Sequence, residues 1–257
     1  MQAVWSGSIG FGLVNIPVKM YAATEESNIP FVTLDKSNHA RINYKKVNQT
    51  TGEEVKHTDI IKGFKVGDDY VIMDEEDFKK ASPEKLDHLE ILQFIFEKEI
   101  DARYFEKPYY LQPDKTGAKP YALLRDTLQK EGKAALGPLV YHKKEWICLI
   151  KPLNDHLVLH RLRFAQEIRS TDSITVPKID IKTEELKMAT MLVSQLTKPF
   201  QPELFKDEFS EKLMKVINDK SKGKATTVKH MKVVSNKTVD LMEVLKASLK
   251  TPTKKAS

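Results

Sequence analysis

MQAVWSGSIGFGLVNIPVKMY, residues 1–21, is the segment on which the prediction of the fold rests. Its two apolar runs, residues 3–5 and 11–16, flank a glycine-rich segment. The glycines of this segment are Gly7, Gly10 and Gly12. Glycine adopts backbone angles that are closed to residues with a Cβ, so we expect a tight reversal between two short strands. Pro17 lacks the amide hydrogen that a central strand needs, which predicts a strand edge or a corner there.

Short runs of β-branched, aliphatic and aromatic residues recur along the chain and predict further strands. They fall at residues 29–34, 40–47, 89–96, 104–111, 139–142, 146–151 and 156–164. Short acidic helical turns are predicted at residues 74–80 and 83–87, and a longer helix at residues 121–131, where Gly132 fits the C-terminal stop. Many short strands with one longer helix favour an antiparallel β-barrel over a parallel α/β sheet. The predicted fold class is therefore mixed β with α.

The composition changes to amphipathic helices after about residue 182. Thr183 predicts the cap of a helix that runs to about residue 197, and Asp207 predicts the cap of a second helix. Residues 221–237 contain no acidic side chain, and we expect a flexible basic linker there. Residues 238–250 have the pattern of a final amphipathic helix. The apolar residues on one face of this helix are Leu241, Met242, Leu245 and Leu249.

Length and composition limit the classes of protein that the chain can represent. With 257 residues, 40% of them hydrophobic, it can bury a large core. No apolar run approaches the roughly 18 residues of a membrane span, and the N-terminus lacks the pattern of a secretory signal. One cysteine, Cys148, excludes an internal disulfide and a multi-thiolate metal site, and it suits a reducing compartment. We therefore expect a cytoplasmic protein without a membrane partner.

Charge is unevenly distributed along the chain. The formal net charge of +6 and the pI of about 9.1 indicate a polyanionic partner. Residues 220–257 hold ten lysines and two acids, a net of +8, which leaves −2 for residues 1–219. Residues 36–65 hold seven basic and three acidic side chains, whereas residues 66–106 hold thirteen acidic and five basic ones. One surface can therefore attract phosphate while another repels it.

The seven basic residues within residues 36–65 are the main candidate site, and we name them the basic row. They are Lys36, Arg41, Lys45, Lys46, Lys56, Lys62 and Lys65. Few aromatic residues lie among them, which favours contact with duplex phosphates over capture of single strands, where aromatic platforms are expected. A second, weaker cluster consists of Arg161 and Arg163 together with Lys143 and Lys144.

The sequence shows no assembled set of catalytic groups. The glycines of residues 7–12 have the wrong spacing for a dinucleotide-binding loop, and no P-loop or zinc-protease motif occurs. Cys148 lies in an apolar segment, so we expect a packed core thiol rather than a nucleophile. His156 and His160 would share a strand face, but two ligands without nearby cysteines or carboxylates favour ordinary histidines over a metal site. We predict no enzymatic activity, no cofactor and no metal.

Further stretches follow the opening segment in a fixed order along the chain. They are RINYK (41–45), KPYYL (107–111), PD (113–114), YALL (121–124), LRF (162–164), EIR (167–169) and ELKMA (185–189). Together with WSGSIGFGLVNIPVKMY, this series resembles the prokaryotic Ku family of DNA-end-binding proteins over roughly the first three quarters of the chain. The resemblance implies a β-barrel core at residues 1–182, a DNA-encircling bridge inserted at about residues 30–103, and a helical arm at residues 183–220 that embraces a partner barrel.

The resemblance also implies a function. Two Ku subunits form a ring-shaped homodimer through which a double-stranded DNA end is threaded, so binding needs a free end but no base sequence. Bound Ku shields the end and recruits DNA ligase D, an ATP-dependent ligase, for non-homologous end joining. The family assigns this recruitment to its C-terminal part, here the apolar face within residues 238–257. Many bacterial relatives carry a Cys-x-x-Cys pair where this chain has NQTT (48–51), so no metal role is transferred.

Two other classes of function remain open at this point. A general duplex-DNA-binding or architectural protein would act through the basic segment at residues 220–257. A nuclease or another hydrolase would need reactive groups that the sequence does not display.

Overall fold

The computed structural model describes residues 1–81, 88–142, 144–223 and 245. They belong to two compact units, Met1–Thr171 and Asp172–Ser257, each of which is described by itself. The predicted turn at residues 83–87 lies outside the described residues. So do the predicted linker beyond residue 223 and the predicted C-terminal helix, apart from Leu245.

Strands dominate the described part of the first unit. The strands are β1 (Trp5–Phe11), β2 (Val14–Ala22), β3 (Lys62–Val66), β4 (Asp69–Met73), β5 (His88–Glu90), β6 (Gln93–Ile95), β7 (Phe105–Pro113), β8 (Ala134–Tyr141), β9 (Lys144–Leu153) and β10 (His156–Leu162). The helices are α1 (Glu75–Ala81) and α2 (Ala118–Glu131).

The opening segment forms the predicted β-hairpin. β1 and β2 pair antiparallel over the whole of β1, and Gly12 begins the two-residue turn with φ +59°, a conformation that glycine adopts without strain. The reversal is narrower than predicted because Gly7 and Gly10 lie inside β1, where the ladder is continuous. Pro17 lies within β2, and the ladder between β2 and β7 begins at the next residue, Val18. The missing amide hydrogen of Pro17 therefore falls at the end of that ladder.

Eight strands form one sheet in the order β5-β1-β2-β7-β10-β9-β8-β6, and every pair is antiparallel except β1 with β5. The two strands at the ends of this order, β5 and β6, are separated by only two residues of sequence. Ile91 donates its amide hydrogen to Gly10 O at 3.0 Å, and Leu92 donates to Leu136 O at 2.9 Å. The segment from β5 to β6 thus joins both edges of the sheet and closes it. The predicted antiparallel β-barrel is confirmed.

The barrel interior is apolar, and α2 packs into it. α2 contributes Tyr121, Leu124 and Leu128 to the main core cluster, and all three are buried. The Tyr121 hydroxyl donates to Leu111 O at 2.7 Å and accepts the Leu157 amide hydrogen at 2.6 Å. One side chain therefore links α2 to both β7 and β10.

The C-terminal stop of α2 was predicted correctly. Gly132 has φ +62°, and the Lys133 amide donates to Leu128 O at 3.1 Å. This is the left-handed glycine cap that commonly ends helices. It fixes the backbone of Lys133 directly beside the end of the helix.

The insertion between β2 and β7 departs from the prediction. Strands predicted at residues 29–34 and 40–47 are wrong, because the structure has only isolated bridges there, Leu34↔Arg41 and Val47↔Glu54. The Asp35 carboxylate accepts the Ser37 amide at 2.7 Å. Such local side-chain bonds compete with ladder formation and favour turns. Within residues 23–81 the ladder that does form is the β3–β4 hairpin.

The second unit contains α3 (Thr183–Leu196) and α4 (Glu208–Ser221), as predicted. Asp207 caps α4, since its Oδ1 accepts the Ser210 amide hydrogen at 3.1 Å. Hydrogen bonds from Ser210 also lower the pKa of Asp207. The prediction that Thr183 caps α3 is wrong: the cap position is Lys182, whose amide donates to Glu185 Oε2 at 3.0 Å.

Candidate nucleic-acid interface

The basic row lies on the insertion, along three successive reversals of the chain. We name residues 33–42 the first arch, residues 45–56 the second arch, and β3 with β4 the hairpin arm. All seven side chains of the basic row are exposed. The reversals therefore present the cations to solvent and leave them available to an external anion.

The first arch carries Lys36 near its tip and Arg41 at its base. Asp35 donates its amide hydrogen to Ala40 O at 2.8 Å, which closes the arch. Hydrogen bonds from Ser37 lower the pKa of Asp35, which precedes Lys36 in the sequence. Neither Lys36 nor Arg41 forms an ion pair within the described residues, so both are candidates for contact with phosphate.

The second arch carries Lys45, Lys46 and Lys56. Its backbone is held by the Val55 amide, which donates to Lys46 O at 2.9 Å. Lys45 Nζ forms an exposed ion pair with Glu54 Oε2 at 2.6 Å, so this lysine is already partly neutralised. Lys46 and Lys56 contribute their full charge.

The hairpin arm carries Lys62 and Lys65 on β3, opposite Met73 and Tyr70 of β4. Lys62 Nζ lies 4.8 Å from the ring centroid of Phe78 in α1. The first turn of α1 is acidic, with two glutamates and an aspartate. The basic and acidic blocks seen in the sequence therefore lie on neighbouring elements of the insertion.

Most of the basic row has no internal counter-charge. Within residues 1–81, 88–142 and 144–223, no ion pair involves six of its members. These six are Lys36, Arg41, Lys46, Lys56, Lys62 and Lys65. Exposed cations without partners are the groups that exchange their counterions for phosphates.

The second predicted cluster lies on the barrel and has partners there. Arg161 Nε is 3.1 Å from Glu106 Oε2, and its guanidinium lies 4.7 Å from the Trp146 ring. Arg163 Nη1 donates to Phe105 O at 2.7 Å and to Arg103 O at 3.1 Å. Both arginines thus contribute to the packing of the barrel wall. Lys144 begins β9, and Lys143 lies outside the described residues.

The reactive residue types of the barrel are used for packing. Cys148 is fully buried, and burial raises the pKa of its thiol to about 12, so the predicted core thiol is confirmed. His160 stacks edge-on against Phe105 at 5.3 Å, and burial lowers its pKa. The His156 ring lies 6.4 Å from that of Tyr110. The described ranges contain no group of three metal-ligating side chains, and none of their helices is long and apolar enough to cross a bilayer.

One polar constellation was missed by the sequence reasoning. Ser8 Oγ lies 2.9 Å from His88 Nδ1, and His88 Nε2 lies 2.8 Å from Glu90 Oε2. A Cβ at Gly10 would overlap both the His88 ring and the Glu90 carboxylate, so the arrangement needs this glycine. The Ser8–His88 contact joins β1 to β5, and the His88–Glu90 contact lies within β5. Ser8 and His88 are eighty positions apart, and the parallel β1–β5 register brings them together.

The fold and the candidate site define a β-barrel protein that carries an exposed basic insertion. Comparison with known proteins identifies the family. Residues 10–188 match the model of the Ku70/Ku80 beta-barrel domain. The chain therefore belongs to the Ku family, whose members are DNA-binding and non-catalytic.

Three relatives named "Non-homologous end joining protein Ku" show how far the similarity extends. The Coxiella burnetii protein is 41% identical, over 96% of this chain and 94% of its own length. The Pseudomonas aeruginosa protein is 40% identical, over 97% and 88% respectively. The Archaeoglobus fulgidus protein is 36% identical, over 97% and 98%. The similarity thus covers nearly the whole chain in bacterial and archaeal proteins.

Proposed function

We propose that this protein binds double-stranded DNA ends in non-homologous end joining, as a homodimeric ring through which the end is threaded. The observation that carries the proposal is the exposed basic insertion on a Ku barrel. Related proteins named for end joining, similar over nearly their full length, support the same assignment.

Exposed apolar side chains support the homodimer. On the hairpin arm Phe64 is 68% exposed and Ile72 62%, although a two-stranded hairpin is marginally stable unless something covers it. In the second unit Val193 of α3 is 65% exposed and Phe200 81%. Apolar surface of this extent on two separate segments is typical of an interface. A second copy of the chain, related by two-fold symmetry, would cover the same segments on both subunits.

Phosphate contact by the basic row explains binding without sequence preference. Lysine and arginine side chains that neutralise phosphates release condensed counterions. The free energy gained by this release does not depend on the base sequence. Specificity for ends then comes from topology, because a closed ring can be loaded only over a free terminus. Arg161 and Arg163 are proposed as additional phosphate contacts from the barrel. They are weaker candidates than the basic row because both already have partners within the protein.

We further propose that the bound dimer protects the end and recruits DNA ligase D. This part rests on the family resemblance and on the apolar face of the C-terminal segment. Its proposed contact residues are Leu241, Met242, Leu245 and Leu249. Leu245 is the one of these that falls within the described residues.

The test compares linear duplex with covalently closed circular duplex of the same sequence at matched salt. We expect tight binding to the linear form and weak binding to the circle. Equal affinity for both would refute end binding.

The alternative, an architectural protein that acts through its C-terminal charge, is favoured by the net charge of +8 on residues 220–257. Deleting residues 221–257 distinguishes end binding by the rest of the protein from binding through the C-terminal segment. End binding by the truncated protein should survive under our proposal, and it would be lost if the C-terminal segment carried the binding.

A further inference from the structure

The aromatic ring of Phe96 lies beside two lysines, one close to it in the sequence and one distant. Lys98 Nζ is 5.4 Å from the ring centroid and Lys133 Nζ is 5.8 Å from it. Phe96 is 43% exposed. We name Phe96, Lys98 and Lys133 the Phe96 platform. An exposed aromatic ring with neighbouring cations is the combination that sites for single-stranded nucleic acid use.

Both parts of the Phe96 platform are held by backbone hydrogen bonds. Phe96 follows β6 directly and begins a tight turn, in which its amide donates to Glu99 Oε2 at 3.3 Å and its carbonyl accepts the Glu99 amide at 3.0 Å. Lys133 follows the glycine cap of α2, as described above. The ring and the second lysine are therefore presented by ordered turns that follow β6 and α2.

Two carboxylates of this segment are engaged by other cations. Glu97 forms an ion pair with Lys151, and Asp101 accepts two hydrogen bonds from the Arg103 guanidinium, each at 3.0 Å. Across the part of the chain that the structure describes, no ion pair involves Lys98 or Lys133. These two lysines therefore lie beside an exposed aromatic residue without an ion-pair partner.

A groove of about 580 Å³ adjoins the ring. Its walls include Phe96, Lys98 and Phe105, and Gly132 lines it without a side chain. Ligand sites in proteins commonly have volumes of about 300–1,000 Å³, so a nucleobase has room here. A base that stacks on Phe96 would bring its flanking phosphates within reach of both ammonium groups.

We propose that the Phe96 platform binds the unpaired bases of a single-stranded overhang at the DNA end. The proposal rests on the proposed function, and it adds a second contact of different chemistry. The basic row neutralises duplex phosphates, whereas the Phe96 platform stacks bases that have no partner strand. End structure, and not only the presence of an end, would then influence affinity.

The test measures the affinity of the full-length protein for two duplexes that differ only in a short oligothymidine overhang. We expect Phe96→Ala to weaken binding of the overhang duplex by about tenfold, as loss of one stacked base does, and to leave the blunt duplex unchanged. Phe96→Trp keeps a stacking surface and should restore overhang binding. The fluorescence of the tryptophan introduced by Phe96→Trp should also be quenched by the overhang duplex and not by the blunt duplex.

Phe164 provides a matched control. It also begins a tight turn, its amide donates to Glu167 Oε2 at 2.7 Å, and its ring is 37% exposed. No lysine lies against its ring in the described ranges, so Phe164→Ala should bind both duplexes like the wild type. Overhang binding that is unchanged in Phe96→Ala, or a loss that is equal for both duplexes, would overturn the proposal. Failure of end binding itself would appear separately, as equal wild-type affinity for linear and circular duplex.

Discussion

Replacing Lys65 by glutamine should weaken the salt dependence of DNA binding. Lys65 lies on β3, is exposed and has no ion pair within the described residues. Each phosphate contact contributes about −0.9 to the slope of log K against log salt concentration for duplex DNA. Because a homodimer carries two copies of Lys65, the substitution should reduce the magnitude of the slope by about 1.8.

The size of this change can be measured directly. Between 50 and 200 mM salt, a slope difference of about 1.8 changes the ratio of variant to wild-type Kd by about tenfold, with the larger defect at low salt. The assay is fluorescence anisotropy on a blunt linear duplex at four or more salt concentrations. Duplexes of different sequence should give the same slope change, because phosphates carry no base information.

Lys79→Gln is the matched control for this experiment. It removes the same charge from the same insertion, but Lys79 lies in α1, which begins with three acidic residues. We expect its slope to equal that of the wild type. Equal slope changes for both variants, or none for Lys65→Gln, would show that the basic row does not face the DNA. A change of about 0.9 for Lys65→Gln would mean that one copy alone makes contact.

Three further predictions concern the barrel. Tyr121→Phe leaves Leu111 O and the Leu157 amide without their buried hydrogen-bond partner. The free energy of unfolding, measured by urea denaturation, should therefore fall by about 1–3 kcal/mol. An unchanged urea midpoint would contradict a stabilising role for these two hydrogen bonds. Cys148, with a pKa of about 12, should resist alkylation at pH 8 in the native protein and react once urea unfolds it; rapid native labelling would contradict its burial. Burial lowers the pKa of His160, so the unfolded state binds the proton more readily and stability should decline as pH falls below the unfolded value of 6.5. His160→Phe should flatten this part of the stability profile, and a profile as steep as that of the wild type would assign the decline to other groups.

Local patterns in the sequence predicted much of the barrel. The opening hairpin followed from its glycines and apolar runs, and the end of α2 followed from Gly132. Asp207 was predicted as a cap because aspartate favours that position before an amphipathic segment, and its side chain accepts the backbone amide hydrogen three residues ahead. Each of these features depends on residues that are close together in the chain, which is why the sequence alone was sufficient.

Features that depend on distant contacts were not predicted. The apolar run at residues 89–96 predicts one strand, but this segment contains parts of two. β5 and β6 pair with opposite edges of the sheet, and no local pattern indicates where a sheet closes. The arches of the insertion replaced predicted strands because short polar side chains bond their own backbone. The Phe96 platform depends on Lys133, which is distant in the sequence.

The distribution of charge in the sequence predicted the candidate site, and the structure shows which of its cations are already paired. All seven members of the basic row were predicted as equal candidates for contact with phosphate. The ion pair with Glu54 distinguishes Lys45 from the other six. Arg161 and Arg163 looked like a second basic patch, whereas their contacts with Glu106 and with backbone carbonyls bind them to the barrel wall.

Topological trapping tests whether the protein encircles DNA. The protein is loaded on a linear duplex, the ends are joined covalently by an added ligase, and the salt concentration is raised until electrostatic binding is lost. We predict that protein loaded before closure stays on the circle in high salt and is released when a restriction enzyme cuts it. Release from the closed circle at the same salt concentration as from the linear duplex would contradict a ring around the DNA.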